Sequence, residues 1–361
     1  MNKIAVAAIT KHGTQLARRL YHEGLPADVF YMQKFARGDE DEKGFTLFEG
    51  SVRKQLPTWF EQYDGIVLII SLGAVVRMIS PLLKDKKIDP AVVVIDDNGD
   101  FAISVLSGHL GGANHLTRQV ASKLDATPVI TTASDVQGTI PVDIFGQSFG
   151  WTIEDFTHVT RASAAVVNEE PLLILQESGE KSWWPSAKPL PAQMRVVSSM
   201  EEEALQEAHC ALVITHRMLS DSDRNKLPHI HVVYRPKVIH IGIGCNRGTE
   251  AGEIEAVIRK TLEKWKLSPA SIKKIATIDL KKDEKGLLEV CEKNEWPFVY
   301  YTPNELNRVS IPHPSDVVYK YTGAYGVSEP AAVLSSGNET LLIEKEKQGN
   351  VTISIAVEEW E

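Results

Sequence analysis

Short contiguous apolar runs, each followed by a segment with helical spacing, govern what this chain is able to fold into. Lys3–Ile9, Gly65–Ser71 (GIVLIIS), Ala91–Asp96 (AVVVID), Phe101–Leu106 (FAISVL) and Pro128–Thr132 (PVITT) read as strands. Their apolar residues do not alternate with polar ones. Both faces of each strand therefore need cover, and helices packed on both sides of a largely parallel sheet supply it. Thr14–His22, the AVVRMI run after Gly73, and HLTRQVASKLDA, where Leu116, Val120 and Leu124 recur, read as such helices.

At 361 residues the chain is too long for one small core. The predicted fold class is α/β and multi-domain: a Rossmann-like N-terminal domain over 1–142, a small α/β middle module over 143–236, and a separate α/β C-terminal domain over 237–361. In the middle part, Glu154–Val167 reads as a helix, and Pro171–Gln176, Ala211–Thr215 and Ile230–Tyr234 as strands. Lys181–Met194, with three prolines and two adjacent tryptophans, reads as a loop. Val238–Ile243 opens the last part as a strand, followed by a glycine-bearing loop over Gly242–Gly248 and a helix over Glu250–Trp265. Ile275–Asp279 and Phe298–Tyr301 are later strands, and Gln348-Gly349-Asn350 joins a closing hairpin.

Composition narrows the function classes. A formal charge of −9 argues against a broad nucleic-acid surface, while leaving room for a locally positive pocket. No apolar run approaches the roughly 18–20 residues that cross a bilayer, so no membrane partner is expected. Cys210, Cys245 and Cys291 are odd in number and widely spaced, which fits a reducing cytoplasm better than a disulfide framework or a thiolate zinc site.

The most distinctive loop is Ser107–His115, SGHLGGANH, set between the FAISVL strand and the following helix. Glycines at such a junction let backbone amides turn toward a ligand, and the first helical turn carries unpaired N–H groups. Ser107, Gly108, Gly111, Gly112 and Asn114 are therefore candidate substrate contacts, able to hold a carboxylate or an oxyanion. His109, with an ordinary imidazole pKa near 6.5, is the candidate catalytic base or acid. His115 reads as a plain helix-start residue, and no zinc spacing is present.

Three further motifs are weaker. Gly73 and Arg77 follow the GIVLIIS strand, and Lys84, Lys86 and Lys87 come next, together a source of positive field for an anion. Gly242–Gly248, GIGCNRG, is GxGxxxG and not the dinucleotide fingerprint, but Gly244, Asn246 and Arg247 are placed to meet a phosphate or carboxylate. Cys245 there reads as a small packed thiol. In Thr322–Gly337, TGAYGVSEPAAVLSSG, Ser328 reads as a helix cap with Pro330 in the first turn, and Glu329 joins His109 as a candidate proton-transfer group. His229 and His231 read as lying on one strand face.

With these motifs in view, the chain resembles the cobalt-precorrin-5A hydrolase family of anaerobic cobalamin biosynthesis. The resemblance rests on SLGAVVRMISPLL, VVVIDDNGDFAISVLSGHLGGANHLT, VIHIGIGCNRGT and YGVSEPAAVLSSG, in that order along the chain. It implies a polycarboxylated cobalt tetrapyrrole carrying a lactone as the small-molecule partner, with possible handover to neighbouring pathway enzymes. It also implies that water opens the lactone and a two-carbon fragment leaves as acetaldehyde, giving cobalt-precorrin-5B. The conjugated ring would be the electron sink. Cobalt would arrive on the substrate, so no protein-bound cofactor or metal is expected.

The resemblance carries no catalytic residue with it. On the residues, His109 is assigned as base, Gly111, Gly112 and Asn114 as the oxyanion or carboxylate contact, and Arg77 and Arg118 as clamps for peripheral carboxylates. The Asn246–Arg247 loop is expected to close an interdomain cleft. Three other readings remain: a cobalt chelatase or metal-delivery protein, on 11 histidines; a nicotinamide-dependent oxidoreductase, on GIGCNRG; and a tetrapyrrole carrier that leaves its ligand unchanged.

Overall fold

In the computed structural model, which describes residues 3–185, 188–200 and 202–359, the apolar runs form the centres of three sheets. The chain divides into two compact units, Met1–Ile144 and Phe145–Glu361.

The first unit holds a seven-stranded sheet in the order β3-β2-β1-β4-β5-β6-β7. Its strands are β1 (Ile4–Ala8), β2 (Asp28–Met32), β3 (Thr46–Phe48), β4 (Gly65–Ile69), β5 (Ala91–Ile95), β6 (Phe101–Leu106) and β7 (Thr127–Val129). Every residue of β1, β4 and β5 is buried, as the unbroken apolar runs require. One face packs on the helices Lys11–His22 and Ala113–Leu124, through Ala17, Leu20, Leu116 and Val120. The other packs on Leu56–Gln62 and Leu72–Ile79, through Leu56, Trp59, Val75 and Ile79. The sheet departs from the expected parallel pattern at one place: β5 and β6 are antiparallel, joined through the Asn98-Gly99 turn, with Gly99 at φ +79. This reversal decides where the SGHLGGAN loop lies.

The second unit holds two five-stranded sheets. One has the order β10-β9-β11-β12-β8, from β8 (Thr152–Ile153), β9 (Leu172–Gln176), β10 (Met194–Val197), β11 (Cys210–Ile214) and β12 (Ile230–Arg235). The other has the order β15-β14-β13-β17-β16, from β13 (Ile239–Cys245), β14 (Ile272–Ile278), β15 (Phe298–Tyr301), β16 (Leu341–Gln348) and β17 (Val351–Val357). The expected closing hairpin is β16–β17.

Several local expectations are corrected. The helix expected over Glu154–Val167 covers only Val159–Val167. Glu154 extends the sheet instead, its amide donating to the Val233 carbonyl at 2.9 Å while its carboxylate holds the buried Arg235 guanidinium at 2.6 Å. His229 precedes β12 and is not on the same strand as His231. The Lys181–Met194 stretch is loop up to the start of β10, anchored by the Trp183 indole on Gln176 Oε1 at 2.8 Å; Ser186 and Ala187 of that stretch lie outside the described residues. Among the described residues no helix is long and apolar enough to cross a membrane.

Candidate functional site

The SGHLGGAN loop leaves β6 and closes on itself before the helix Ala113–Leu124. Ser107 adopts φ +57 and Gly112 φ +83. The amides of Gly112, Ala113 and Asn114 donate to the carbonyls of His109, Ser107 and Gly108 at 2.9, 3.1 and 2.9 Å. A Cβ on Gly111 would lie 2.3 Å from Ser107 Cβ, and one on Gly108 would lie 2.9 Å from Asn114 Oδ1. These glycines thus permit a tight self-capping turn. The expected ligand role of the Gly112 amide is corrected accordingly, because that N–H is already spent on His109.

What the turn presents is an imidazole gripped at both nitrogens. His109 Nδ1 lies 2.9 Å from Asp143 Oδ1, and Nε2 lies 2.8 Å from Asp135 Oδ2, with Ser134 Oγ at 3.1 Å. The three side chains are only 12%, 18% and 19% exposed for His109, Asp143 and Asp135. Asp143 raises the His109 pKa through its hydrogen bond; burial works the other way, and Asp135 adds to the rise. Burial pushes the Asp135 carboxyl up, but Arg118 and His109 outweigh it and hold the group below the usual carboxylate range. Two carboxylates that accept, one at each ring nitrogen, favour the doubly protonated imidazolium form of His109.

Asn114 is the scaffold of this cluster. It is buried, its Oδ1 accepts from Ser104 Oγ at 2.7 Å, and its Nδ2 donates to Thr132 Oγ1 at 2.9 Å and Asp135 Oδ2 at 2.8 Å. All of its amide capacity aimed at this site goes to protein, so it positions Asp135 and is not an open oxyanion donor. Arg118, half exposed, pairs with the other oxygen of Asp135.

The antiparallel β5–β6 pairing separates residues that the sequence seemed to unite. Leu106 pairs with Val92 at the start of β5, whereas Ile69, ahead of Gly73, aligns with Ile95 at its end. Gly73 therefore lies past the end of β4 opposite to the Ser107 end, roughly 10 Å or more along the strand direction, and Arg77 follows it in the helix Leu72–Ile79. The exposed Arg77 guanidinium folds back to 3.5 Å from the Gly73 carbonyl. The lysine loop does reach the His109 edge. The Lys84 amide donates to the Asp89 carboxylate at 3.0 Å, and the Asp89 carbonyl accepts from Ser107 Oγ at 2.9 Å.

In the second unit, Gly242 and Gly244 lie within β13 and not in a phosphate loop. A Cβ on Gly242 would come within 1.8 Å of the Ser328 carbonyl, so the glycine lets the helix Ser328–Ser336 pack directly on the strand; one on Gly244 would meet Thr352 Oγ1 at 2.6 Å. Cys245 is packed, and burial pushes its thiol pKa up. Asn246 bonds Asn350 at 3.0 and 2.8 Å through its main chain and side chain. Arg247 holds Asp283 at 2.8 Å and the Leu280 carbonyl at 2.6 Å, on the rim of a cavity of about 650 Å³. Ser328 does not cap the helix as expected; it is the first helical residue, and its hydroxyl accepts from Ser354. Glu329 is fully buried, taking a hydrogen bond from His313 Nδ1 at 2.7 Å and another from the Lys345 amide at 3.2 Å.

The structure thus gathers Ser107, Gly108, His109, Gly111, Gly112, Asn114 and Arg118 at one cluster of the first unit. Gly244, Asn246, Arg247 and Glu329 belong to the second unit. Sequence reasoning missed Asp135, Asp143 and Ser134, and His313 beside Glu329. A signal existed for Asp135, an acid in the first turn of a short helix directly after the PVITT strand.

Three family models match in succession along the chain: Cobalamin synthesis G N-terminal over residues 54–135, Cobalamin biosynthesis central region over 140–236, and Cobalamin synthesis G C-terminus over 239–356. The cobalt-precorrin-5A hydrolase of Priestia megaterium is 60% identical over 353 residues, covering 98% of this chain and 94% of the relative. The cobalt-precorrin-5A hydrolase of Salmonella typhimurium is 33% identical over 359 residues, covering 98% and 97%. End-to-end likeness at this level means that the chain belongs to the cobalamin synthesis G family, the family of the cobalt-precorrin-5A hydrolases.

Proposed function

We propose that this chain is a cobalt-precorrin-5A hydrolase and that its proton transfers occur at the His109–Asp135–Asp143 cluster. Full-length likeness to enzymes of that name supports the activity. The observation that carries the site is an imidazole with a carboxylate on each nitrogen, held by the loop most characteristic of the sequence.

In hydrolysis of the lactone, water oxygen bonds to the acyl carbon and gives up its protons to solvent, the acyl–oxygen bond breaks to leave a carboxylate, and the departing alkyl oxygen needs a proton. An imidazolium with a raised pKa is suited to give it. The product is a hydroxy acid. Removing the hydroxyl proton then forms the carbonyl of acetaldehyde as the carbon–carbon bond to the ring breaks. The electron pair passes into the conjugated ring, which is protonated afterwards. Neutral His109, having served as acid, is the base for this second step. Asp143 and Asp135 keep the ring oriented and stabilise its charged form, as a carboxylate does for a catalytic histidine.

Arg118 and the Lys84–Lys87 loop supply positive charge for peripheral carboxylates on the His109 edge. Arg77 has no place in this cluster. Cobalt enters as part of the substrate.

Anaerobic incubation of the purified chain with cobalt-precorrin-5A, following acetaldehyde and product mass, tests the reading. One acetaldehyde per ring, with no added nucleotide, is expected. Recovery of unchanged tetrapyrrole, a requirement for NAD(P), or retention of free Co²⁺ without turnover would each overturn it.

A further inference from the structure

The first sheet of the second unit changes direction at β9. From β9 the chain passes to β10 on one flank, crosses to β11 on the other, and continues outward to β12. These strands are parallel, with Gln176 of β9 level with Ile214 of β11. The segments leaving the two strand ends therefore diverge and open a crevice between them. Open parallel sheets bind small molecules at such a point.

Two cavities adjoin here, of about 500 and 440 Å³, with Gln176, Lys181 and Ser198 in the walls of both. All of their walls belong to the second unit. The larger cavity is an aromatic slot. The Trp183 indole N–H donates to Gln176 Oε1 at 2.8 Å, and its ring meets Phe145 edge to face with centroids 5.3 Å apart. The Trp184 indole N–H donates to the Lys188 carbonyl at 2.9 Å. With both N–H groups taken by protein, the indoles offer their ring surfaces, beside Leu190 and the exposed Val196.

The smaller cavity has a polar wall. Ser178 follows β9 and His216 follows β11, and both line it. Ser178 Oγ and His216 Nδ1 are buried with no hydrogen-bond partner among the described residues. Burial pushes the His216 pKa down to about 4, so the ring is neutral near pH 7 and carries one N–H and one lone pair. Two carboxylates of the wall are committed, Glu177 to Arg217 and Thr215 and Glu358 to Lys273. The exposed Lys181 and Glu359 are of opposite sign, so the wall favours no ion of either charge. A hydroxyl and a neutral imidazole without partners call instead for uncharged hydrogen-bonding groups. A flat ring bonded to an uncharged hydroxylated group matches both walls, and that is the chemistry of a nucleoside.

We propose that this crevice is a second ligand site that takes a nucleoside, its base against Trp183 and Trp184 and its sugar hydroxyls on Ser178 and His216. A free nucleoside and the nucleoside end of a nucleotide present the same groups. The site belongs to a different unit from His109 and does not depend on the hydrolase reading.

Indole ¹⁵N–¹H resonances of the full chain read the binding, with the Trp183 and Trp184 signals assigned by their disappearance in Trp183→Phe and Trp184→Phe. Adenosine, inosine, uridine and riboflavin are the probes. At least one should move both signals saturably while the Trp59 and Trp265 signals stay in place, and D-ribose should move none. Ser178→Ala removes a hydroxyl that no described protein group uses, so a merely structural role predicts unchanged binding. The site predicts affinity weakened about threefold or more in Ser178→Ala and in His216→Ala, and about fivefold or more in Trp184→Ala. The 5′-monophosphate of the tightest probe separates the two sources: equal or tighter binding assigns a nucleotide, weaker binding a free nucleoside. Absence of a saturable shift with all four probes would overturn the inference, as would wild-type affinity in both Ser178→Ala and His216→Ala. Neither failure touches acetaldehyde release, which tests the hydrolase reading separately.

Discussion

Replacing Asp143 by Asn removes the charge from the partner that contributes most to the raised His109 pKa, while keeping an oxygen able to accept the Nδ1 proton. The contact is 2.9 Å long, and its side chains are 12% and 18% exposed, so solvent screens it little. A hydrogen bond between charged partners is worth about 1.5–3 kcal/mol. Asp143→Asn should therefore loosen the loop by about that amount at pH 6, where His109 is charged. The readout is hydrogen exchange at the amides of Gly112, Ala113 and Asn114, whose acceptors all belong to this loop. Local opening that is 1.5–3 kcal/mol easier speeds their exchange roughly 10–150-fold. The pKa of His109 rises on folding, so the clamp's stabilisation is complete below the ordinary value near 6.5 and is lost as pH climbs through the folded midpoint. The difference between wild type and variant should accordingly shrink at high pH, and the His109 midpoint should move down in Asp143→Asn. Unchanged exchange at pH 6, or a difference that grows with pH, would refute the imidazolium clamp.

Other consequences follow from the same geometry. The pH dependence of kcat/KM should hold above the ordinary imidazole range and fall as His109 loses its proton, with the fall displaced to lower pH in Asp143→Asn. Arg118→Ala should raise KM for the polycarboxylated substrate about tenfold or more, whereas Arg77→Ala, in the helix that begins past the opposite end of β4, should change it less than twofold; steady-state acetaldehyde assays compare them. Gly242→Ala forces a Cβ against main-chain atoms of the helix Ser328–Ser336, the Ser328 carbonyl at 1.8 Å and the Ala332 nitrogen at 2.8 Å. It should cost about 3 kcal/mol or more in urea unfolding, and a cost below about 1 kcal/mol would show that the helix yields easily.

Burial explains what the sequence disclosed. GIVLIIS and AVVVID are strands because an unbroken apolar run of that length has to be covered on both faces, and β4 and β5 are buried throughout. Asp28–Met32 and Thr46–Phe48, toward the sheet edge, carry exposed or half-exposed residues that dilute this signal. Asn98-Gly99 between AVVVID and FAISVL is a hairpin signal, outweighed by the parallel character of everything before it. Missing that reversal put Arg77 and His109 on one site. The His109 loop itself was legible as a tight turn, because three glycines between a strand and a helix mark close backbone approach, here the self-capping geometry that holds His109. Its two carboxylates were not, since Asp135 and Asp143 reach the ring from 26 and 34 residues away and no local pattern encodes that approach. In GIGCNRG the glycines resembled a ligand loop while serving close helix–strand packing, a distinction that depends on the distant Ser328 and Thr352.

The most direct check on the account is acetaldehyde formation from cobalt-precorrin-5A by His109→Gln, in protein whose exchange pattern outside the loop matches wild type. Loss of at least a hundredfold in turnover, the ordinary contribution of a positioned acid–base group, is the predicted result. Turnover within a few-fold of wild type would contradict it and move the chemistry away from the His109 cluster.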